Sequence, residues 1–316
     1  MPDIKPTPQT ANQRQHGLLQ SARLLPPITM AVAHPCDADS LLGALDAAQE
    51  GLVKLLLVGP RKKIQRVAED CGADISAWPL IDVPHSHAAA AEAVRLVRAG
   101  EAQALMKGSL HTDELMAEVT AQDTGLRTGR RMSHVFIMDV PTYPKHLLIT
   151  DAAINIEPTL ADKRDIVQNA INLAHILGVS RPHVAIVSSV ETVNPAIRST
   201  VDAAALCKMA DRGQITGGVL DGPLGFDNAI SLEAAERKGI KSPVSGRADI
   251  LVVPDLDAGN MLAKQLQYLA GALAAGIVLG AKVPIVLTSR ADDRATRVAS
   301  CAAAALVAHH QHGEKA

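Results

Sequence analysis

The stretch ITMAVAHPCDADSLLGALDAAQEGLVKLLLVGP, residues 28–60, holds a complete strand–helix–strand unit. Residues 28–33 are a short apolar run and predict a strand. Residues 39–50 place apolar side chains at helical spacing. Residues 53–58 form a second apolar run, closed by Gly59 and Pro60. Two short strands joined through a helix predict parallel pairing in an α/β fold.

The alternation continues outward from this unit. Residues 61–71 and 86–99 read as helices and 102–106 as a buried strand, while 135–138 and 146–150 look like a strand pair near a domain border. In the second half, 162–177 predicts a helix stopped by Gly178. Strands follow at 184–187, 217–220, 250–253 and 283–287, with helices at 196–211, 261–275 and 292–308.

Composition agrees with a large buried core. The chain has 316 residues, 47% hydrophobic and 20% charged, with a net charge of -2, which excludes a disordered chain and a basic nucleic-acid-binding face. Aromatic residues are only 2%, so Ala, Val, Leu and Ile must build the core and little remains to stack on bases. Cys36, Cys71, Cys207 and Cys301 form no CxxC and read as small buried hydrophobes in a reducing cytosol. Residues 1–25 are polar, lack the apolar centre of a signal peptide, and are expected to be a flexible tail. Residues 269–281 are too short to span a bilayer and read as a buried helix running into a strand.

In such folds ligands gather at the carboxyl ends of strands, so the polar residues after each apolar run are the candidates. MKGSLHTDEL (106–115) offers Lys107, a permissive Gly108, then Ser109, His111 and Thr112 at a helix start, which either caps the helix or binds an anion. LRTGRRMSHV (126–135) gathers Arg127, Arg130 and Arg131, whose guanidinium forks suit phosphate; Ser133 and His134 follow. TDAAINIEPT (150–159) carries Asp151 and Asn155, suited equally to ligand binding and to turn formation. LDGPLGFDNAIS (220–231) brings Asp221 and Asp227 around a Gly/Pro turn. VPDLDAGNML (253–262) offers Gly259 and Asn260 for close backbone approach to a bound group, with capping by Asp257 or Asn260 as the plainer reading. VLTSRADDRA (286–295) sets Ser289 three residues before Asp292, in a capping-box pattern that also cradles phosphate, with Arg290 and Asp293 beside them. GxxxxGK[ST], HExxH and GxSxG are all missing from the sequence.

Taken in order, MKGSLHTDEL, RRMSHVFIMD, TDAAINIEPT, LDGPLGFDNAIS, SGRADILVVPDLDAGNML and LTSRAD resemble the phosphate acetyltransferase/butyryltransferase family from about residue 28 onward. The resemblance implies two three-layer αβα domains with a cleft between them, as in isocitrate and isopropylmalate dehydrogenases. Residues 26–140 with 289–316 would form the first, and 141–288 the second. It implies reversible exchange of a short acyl group between CoA and inorganic phosphate, in a cytoplasmic homodimer or assembly of dimers. CoA is then a substrate, with no bound cofactor, metal, nucleic acid or membrane partner. Ser289 and Arg290 match the family's Ser-Arg pair, and Arg127 is the nearest match to its phosphate arginine, with Arg130, Arg131 and Ser109 beside it. Lys107, His111, Thr112, Asp151, Asn155, Asp221, Asp227, Gly259 and Asn260 are the expected CoA- and substrate-binding positions. The family's thiol base falls on Thr296 here, so Asp292 or Asp293 must take that role, and Tyr268 stands near a family arginine. These departures lean toward the butyryltransferase branch and toward stand-alone relatives of hydratase–acyltransferase fusions. An NAD-dependent decarboxylating dehydrogenase on the same fold, or a CoA- or phosphate-binding protein without turnover, are the competing readings.

Overall fold

The computed structural model describes residues 11–288 and 292–313. In chain order these form α1 (Ala11–Arg23), β1 (Ile28–Ala33), α2 (Ala38–Gln49), β2 (Val53–Gly59), α3 (Arg61–Asp70), β3 (Leu80–Asp82), α4 (Ser86–Arg98), β4 (Ala104–Lys107) and α5 (Thr112–Thr120). β5 (Ser133–Asp139), β6 (Leu147–Thr150), α6 (Leu160–Ile176), β7 (His183–Val187), α7 (Arg198–Asp211) and β8 (Val219–Leu224) come next. The chain closes with α8 (Phe226–Ile230), α9 (Leu232–Arg237), β9 (Ile250–Val252), α10 (Leu256–Leu269), β10 (Leu273–Leu279), β11 (Ile285–Val286) and α11 (Arg294–Gly313).

This is a mixed α/β fold on one sheet of 11 strands, in the order β3-β2-β1-β4-β11-β10-β5-β6-β9-β7-β8. The expected parallel pairing holds for β3-β2-β1-β4-β11 and again for β6-β9-β7-β8. Between them, β11–β10, β10–β5 and β5–β6 are antiparallel, so the two parallel sets run in opposite directions. Val32, Met106, Val286, Ile277, Val135, Thr150, Val252 and Ile186 stand side by side in one row across the sheet. β1 and β4 end one residue past that row, and β6 and β9 end on it from the other direction. The carboxyl ends of both parallel sets therefore converge on the same line.

Side chains alternate between the faces of a strand, and the two faces are packed differently. One face carries a single core, from Met30 and Leu57 through Met106, Ile277 and Val135 to Val252, under α1, α2, α3, α6, α7 and α11. The other face carries two separate cores. Ala31, Leu105, Val278 and Ile285 pack under α4 and α5. Phe136, Ile149, Leu251 and Ala274 pack under α8 and α10. The gap between these two cores falls along the line where the strand ends meet.

Several expectations change. Within the stretch read as a tail, residues 11–23 form α1, because Arg14, Leu18 and Ala22 fall four residues apart and bury one stripe. Arg14 donates to Asp139 at 2.6 Å and to the Val140 carbonyl at 2.9 Å, fastening α1 to the end of β5. The helix expected over 261–275 stops at Leu269, where Gly271 takes φ +64°, and β10 begins at Leu273. β8 runs through Gly222 and Pro223, where a turn was expected; a Cβ at Gly222 would lie 2.6 Å from the Ile186 carbonyl oxygen. β3 has three residues and no sequence signal of its own. β11 pairs with β4, so the chain has returned to the first half of the sheet by Ile285, ahead of the return expected at Ser289.

Arg14→Leu strips the guanidinium from buried Asp139 and should cost about 3 kcal/mol or more of unfolding free energy in urea titrations. Adding Asp139→Leu should recover most of that loss; a single-variant loss under about 0.5 kcal/mol would mean that the pair is screened like a surface one.

Candidate active site

The residues that interrupt the split face occupy the gap between its two cores. Lys107 ends β4, Gly276 lies within β10, His134 within β5, and Asp151 follows β6. Their neighbours of the same facing, Leu105, Val278, Phe136 and Ile149, belong to one core or the other.

Asp151 is the hub of the second wall. Its Oδ1 accepts the backbone N–H groups of Ala153 at 2.9 Å and Ile154 at 3.0 Å. Its Oδ2 accepts from His134 N at 3.2 Å, Asn155 N at 3.3 Å and the Asn155 amide. Burial pushes the Asp151 carboxyl up from the ordinary range, and these donors oppose that shift. Asn155 Nδ2 also donates to the Met132 carbonyl at 2.9 Å, and its Oδ1 accepts from Arg131 Nε at 2.6 Å. Arg131 is held further by Asp162 at 3.6 Å, and its backbone N–H donates to Asp165. Of the two uses open to Asp151 and Asn155, the geometry displays turn formation, locking residues 151–155 to the strand start at Ser133.

α10 is pressed onto this hub. Asp255 caps it by accepting from Ala258 N at 2.9 Å, a role expected for Asp257 or Asn260. A Cβ on Gly259 would lie 2.7 Å from the Asp151 carbonyl oxygen, and Asn260 donates to the Ala152 carbonyl at 3.2 Å. The close approach expected at Gly259 is thus helix to loop within the chain. One turn beyond Asn260, Lys264 Nζ lies 3.5 Å from Asp292 Oδ1 and 5.8 Å from the centroid of the Tyr268 ring.

The two candidate bases separate cleanly. Asp293 caps α11, its Oδ1 accepting from Thr296 N at 2.8 Å. Asp292 is buried and turned toward Lys264 on the opposite wall. Thr296 is buried inside α11. Arg297 Nη1 donates to Thr288 Oγ1 at 2.7 Å and anchors the segment that follows β11. Ser289 and Arg290 lie outside the described residues.

On the first wall, Lys107 is buried and donates to the carbonyls of Gly108 at 3.1 Å and Leu110 at 3.0 Å. Ser109 Oγ donates to the His34 carbonyl at 2.9 Å, and a Cβ on Gly108 would lie 2.4 Å from that same oxygen. Both residues tie the loop after β4 to the loop after β1. His111 is the N-cap position of α5 without a side-chain cap bond, and Thr112 is the first residue of the helix.

Other candidates fall away from this line. Arg127 pairs with Ala281, four residues beyond Ile277 and on the side away from Thr288, so roughly 20 Å of strand separates it from the Thr288 end. Arg130 lines a cavity between α6 and α11 on the continuous face, with Asn169 and His175. Asp221 lies in edge strand β8, and Asp227 pairs with Lys238 at 3.0 Å. β8 stands three strands from β6, or about 14 Å.

Two site residues were given no role from sequence. Lys264 sits four residues after Asn260 on the same helical face, which is the signal that could have found it. The His134 ring is fully buried, and neither ring nitrogen has a hydrogen-bond partner among the described residues. Burial, with Lys264 as a second cause, pushes its pKa down to about 3. The ring meets Phe136 edge-on at 4.4 Å, and a Cβ on Gly276 would lie 2.9 Å from its Nε2.

Comparison with known proteins places this site in context. The family described as "Phosphate acetyl/butaryl transferase" matches residues 85–305. A phosphate acetyltransferase from Rhizobium meliloti is 64% identical over 291 residues, 92% of each chain. A phosphate butyryltransferase from Clostridium beijerinckii is 42% identical over 291 residues, covering 92% of this chain and 96% of its own. The crystal structure of a branched-chain phosphotransacylase from Enterococcus faecalis superposes with a TM-score of 0.79 at 33% identity, covering 89% of this chain and 99% of the other.

The neutral His134 predicts a pH dependence with a definite sign. Its contribution to stability is fully present above the unfolded histidine value of about 6.5 and is lost as pH falls toward 3, because the unfolded chain takes up a proton that the native fold refuses. Between pH 6 and 5, urea titrations should show the wild type losing up to about 1.4 kcal/mol more than His134→Phe. Parallel curves for the two proteins would show that His134 takes up its proton as readily in the native fold as in the unfolded chain.

Proposed function

The chain belongs to the phosphate acetyl/butaryl transferase family, and from that premise we propose that it exchanges a short acyl group reversibly between CoA and inorganic phosphate in a single ternary complex. The observation that carries this reading is the convergence of both sets of strand ends on one gap. There a buried carboxylate, Asp292, meets a lysine from the facing wall at 3.5 Å.

In the direction of acyl-CoA synthesis, Asp292 takes the proton of the CoA thiol. The thiolate attacks the carbonyl carbon of the acyl phosphate, and the bond to the bridging oxygen breaks as phosphate leaves. Ser289 and neighbouring backbone N–H groups stabilise the oxyanion. Arg290 and Lys264 neutralise the departing phosphate. Arg127, lying along the sheet from this point, serves a more distant anionic part of the CoA molecule, with Arg130 and Arg131 as its neighbours. Lys107, Ser109, His111 and Thr112 shape the first wall; Asp151, Asn155, Gly259 and Asn260 shape the second. Holding both substrates in one gap supplies much of the acceleration by proximity.

The greater identity to an acetyltransferase, 64% against 42% to a butyryltransferase, supports acetyl as the group carried. The same reading groups residues 26–140 with the chain from β11 onward as one domain and the residues between them as the other, in the manner of isocitrate and isopropylmalate dehydrogenases. It takes the enzyme to work in the cytoplasm as a homodimer. Four free cysteines suit a reducing compartment, and no helix among the described residues is long and apolar enough to cross a membrane.

Purified protein mixed with acetyl-, propionyl- or butyryl-CoA and phosphate should release free thiol, fastest with acetyl-CoA; silence with all three would end this reading. Asp292→Asn should lower kcat by about 10²–10⁴. Asp293→Asn, which keeps a good cap, should stay within about tenfold of the wild type.

A further inference from the structure

We propose that His134 is a catalytic residue, whose neutral imidazole donates an N–H hydrogen bond to the acyl carbonyl oxygen as negative charge develops on it. This assignment rests on the acyltransferase reading above and goes beyond the residues that sequence assigns to it.

A polar side chain buried in a folded protein is almost always hydrogen-bonded. His134 is fully buried with both ring nitrogens unpartnered, and no backbone carbonyl, hydroxyl or carboxylate among the described residues satisfies them. Its place supplies the reason. It stands between the two cores of the split face, opposite Val278 on β10, and its Nε2 takes the space that a Gly276 side chain would need. Phe136 holds the ring edge-on at 4.4 Å, so its direction is set by packing. The backbone is fixed as well: His134 N donates to Asp151, and the His134 carbonyl accepts from Thr150 Oγ1 at 2.8 Å. An oriented, unsatisfied donor at a substrate gap matches what oxyanion stabilisation requires.

The charged group that acts on His134 is Lys264, whose Nζ lies 3.5 Å from Asp292. Lys264 thus links the imidazole to the carboxylate, acting on one and pairing with the other. With the thiol at Asp292, the acyl carbon lies between the carboxylate and the ring. During the step, the thiolate electron pair forms the new S–C bond, and the C=O π pair moves onto oxygen. That pair returns as the bond to the phosphate oxygen breaks. His134 keeps its proton throughout. Burial and the neighbouring ammonium both disfavour imidazolium, so the ring stays a neutral donor across the working pH range.

The test uses the full chain and acetyl-CoA labelled with ¹³C at the carbonyl. In the wild type the bound carbonyl resonance should move downfield from its position in free acetyl-CoA, as a polarised carbonyl does. In His134→Phe that shift should vanish and kcat should fall about 10²–10³, while the KM for CoA stays within about threefold. His134→Asn keeps an N–H donor and should recover at least about tenfold of the lost kcat. If His134→Phe fails to fold in a thermal melt, the carbonyl shift and kcat of His134→Asn carry the test. An unchanged shift, or wild-type kcat in His134→Phe, overturns the assignment. A wild-type protein that releases no thiol overturns the acyltransferase reading itself, whereas turnover that is indifferent to His134 overturns only this inference.

Discussion

The antiparallel pairing of β5 with β10 is the constraint on which the molecule turns. Seven residue pairs, from Leu273 opposite Asp139 to Leu279 opposite Ser133, join two parallel sets of strands that run against each other. If that pair of strands ran parallel while β11–β10 and β5–β6 stayed antiparallel, the two sets would run the same way and the carboxyl ends of only one would lie on the central row. Because it does not, the loops after β4 and β11 meet the loops after β6 and β9 on one line. Polar chemistry concentrates there because strand ends free backbone groups and loops carry the side chains that satisfy them.

The local elements were largely readable. The strand–helix–strand unit at residues 28–60 forms β1, α2 and β2, and the apolar spacing of 162–177 becomes α6. What could not be read was fixed by partners far away in the chain. α1 looked polar because its buried stripe is narrow, with Arg14 completed by Asp139 on a strand 125 residues distant. The end of α10 runs into β10 through continuous apolar sequence, and only Gly271 marks the break. The antiparallel centre has no local signature, since strand direction depends on where the preceding helix returns.

The site was legible as a set of loops but not as an arrangement. Gly108 and Gly259 were recognisable as positions of close approach, yet their partners are the chain's own carbonyls at His34 and Asp151. Asp292 and Asp293 are adjacent and chemically identical in sequence. They separate only when one caps α11 and the other faces Lys264. His134 lies in an apolar strand, where an imidazole is ordinarily a satisfied core residue. Only the missing partner and the missing side chain at Gly276 set it apart.

One core spans the whole of one face, whereas the other face has two cores with a gap between them. Bending about an axis along β5 and β10 therefore meets unequal resistance. On the undivided side it compresses an interior packed near crystal density. On the divided side it meets only the polar strip of Lys107, His134 and Asp151 between the two cores. The sheet is therefore braced more heavily on one side than on the other.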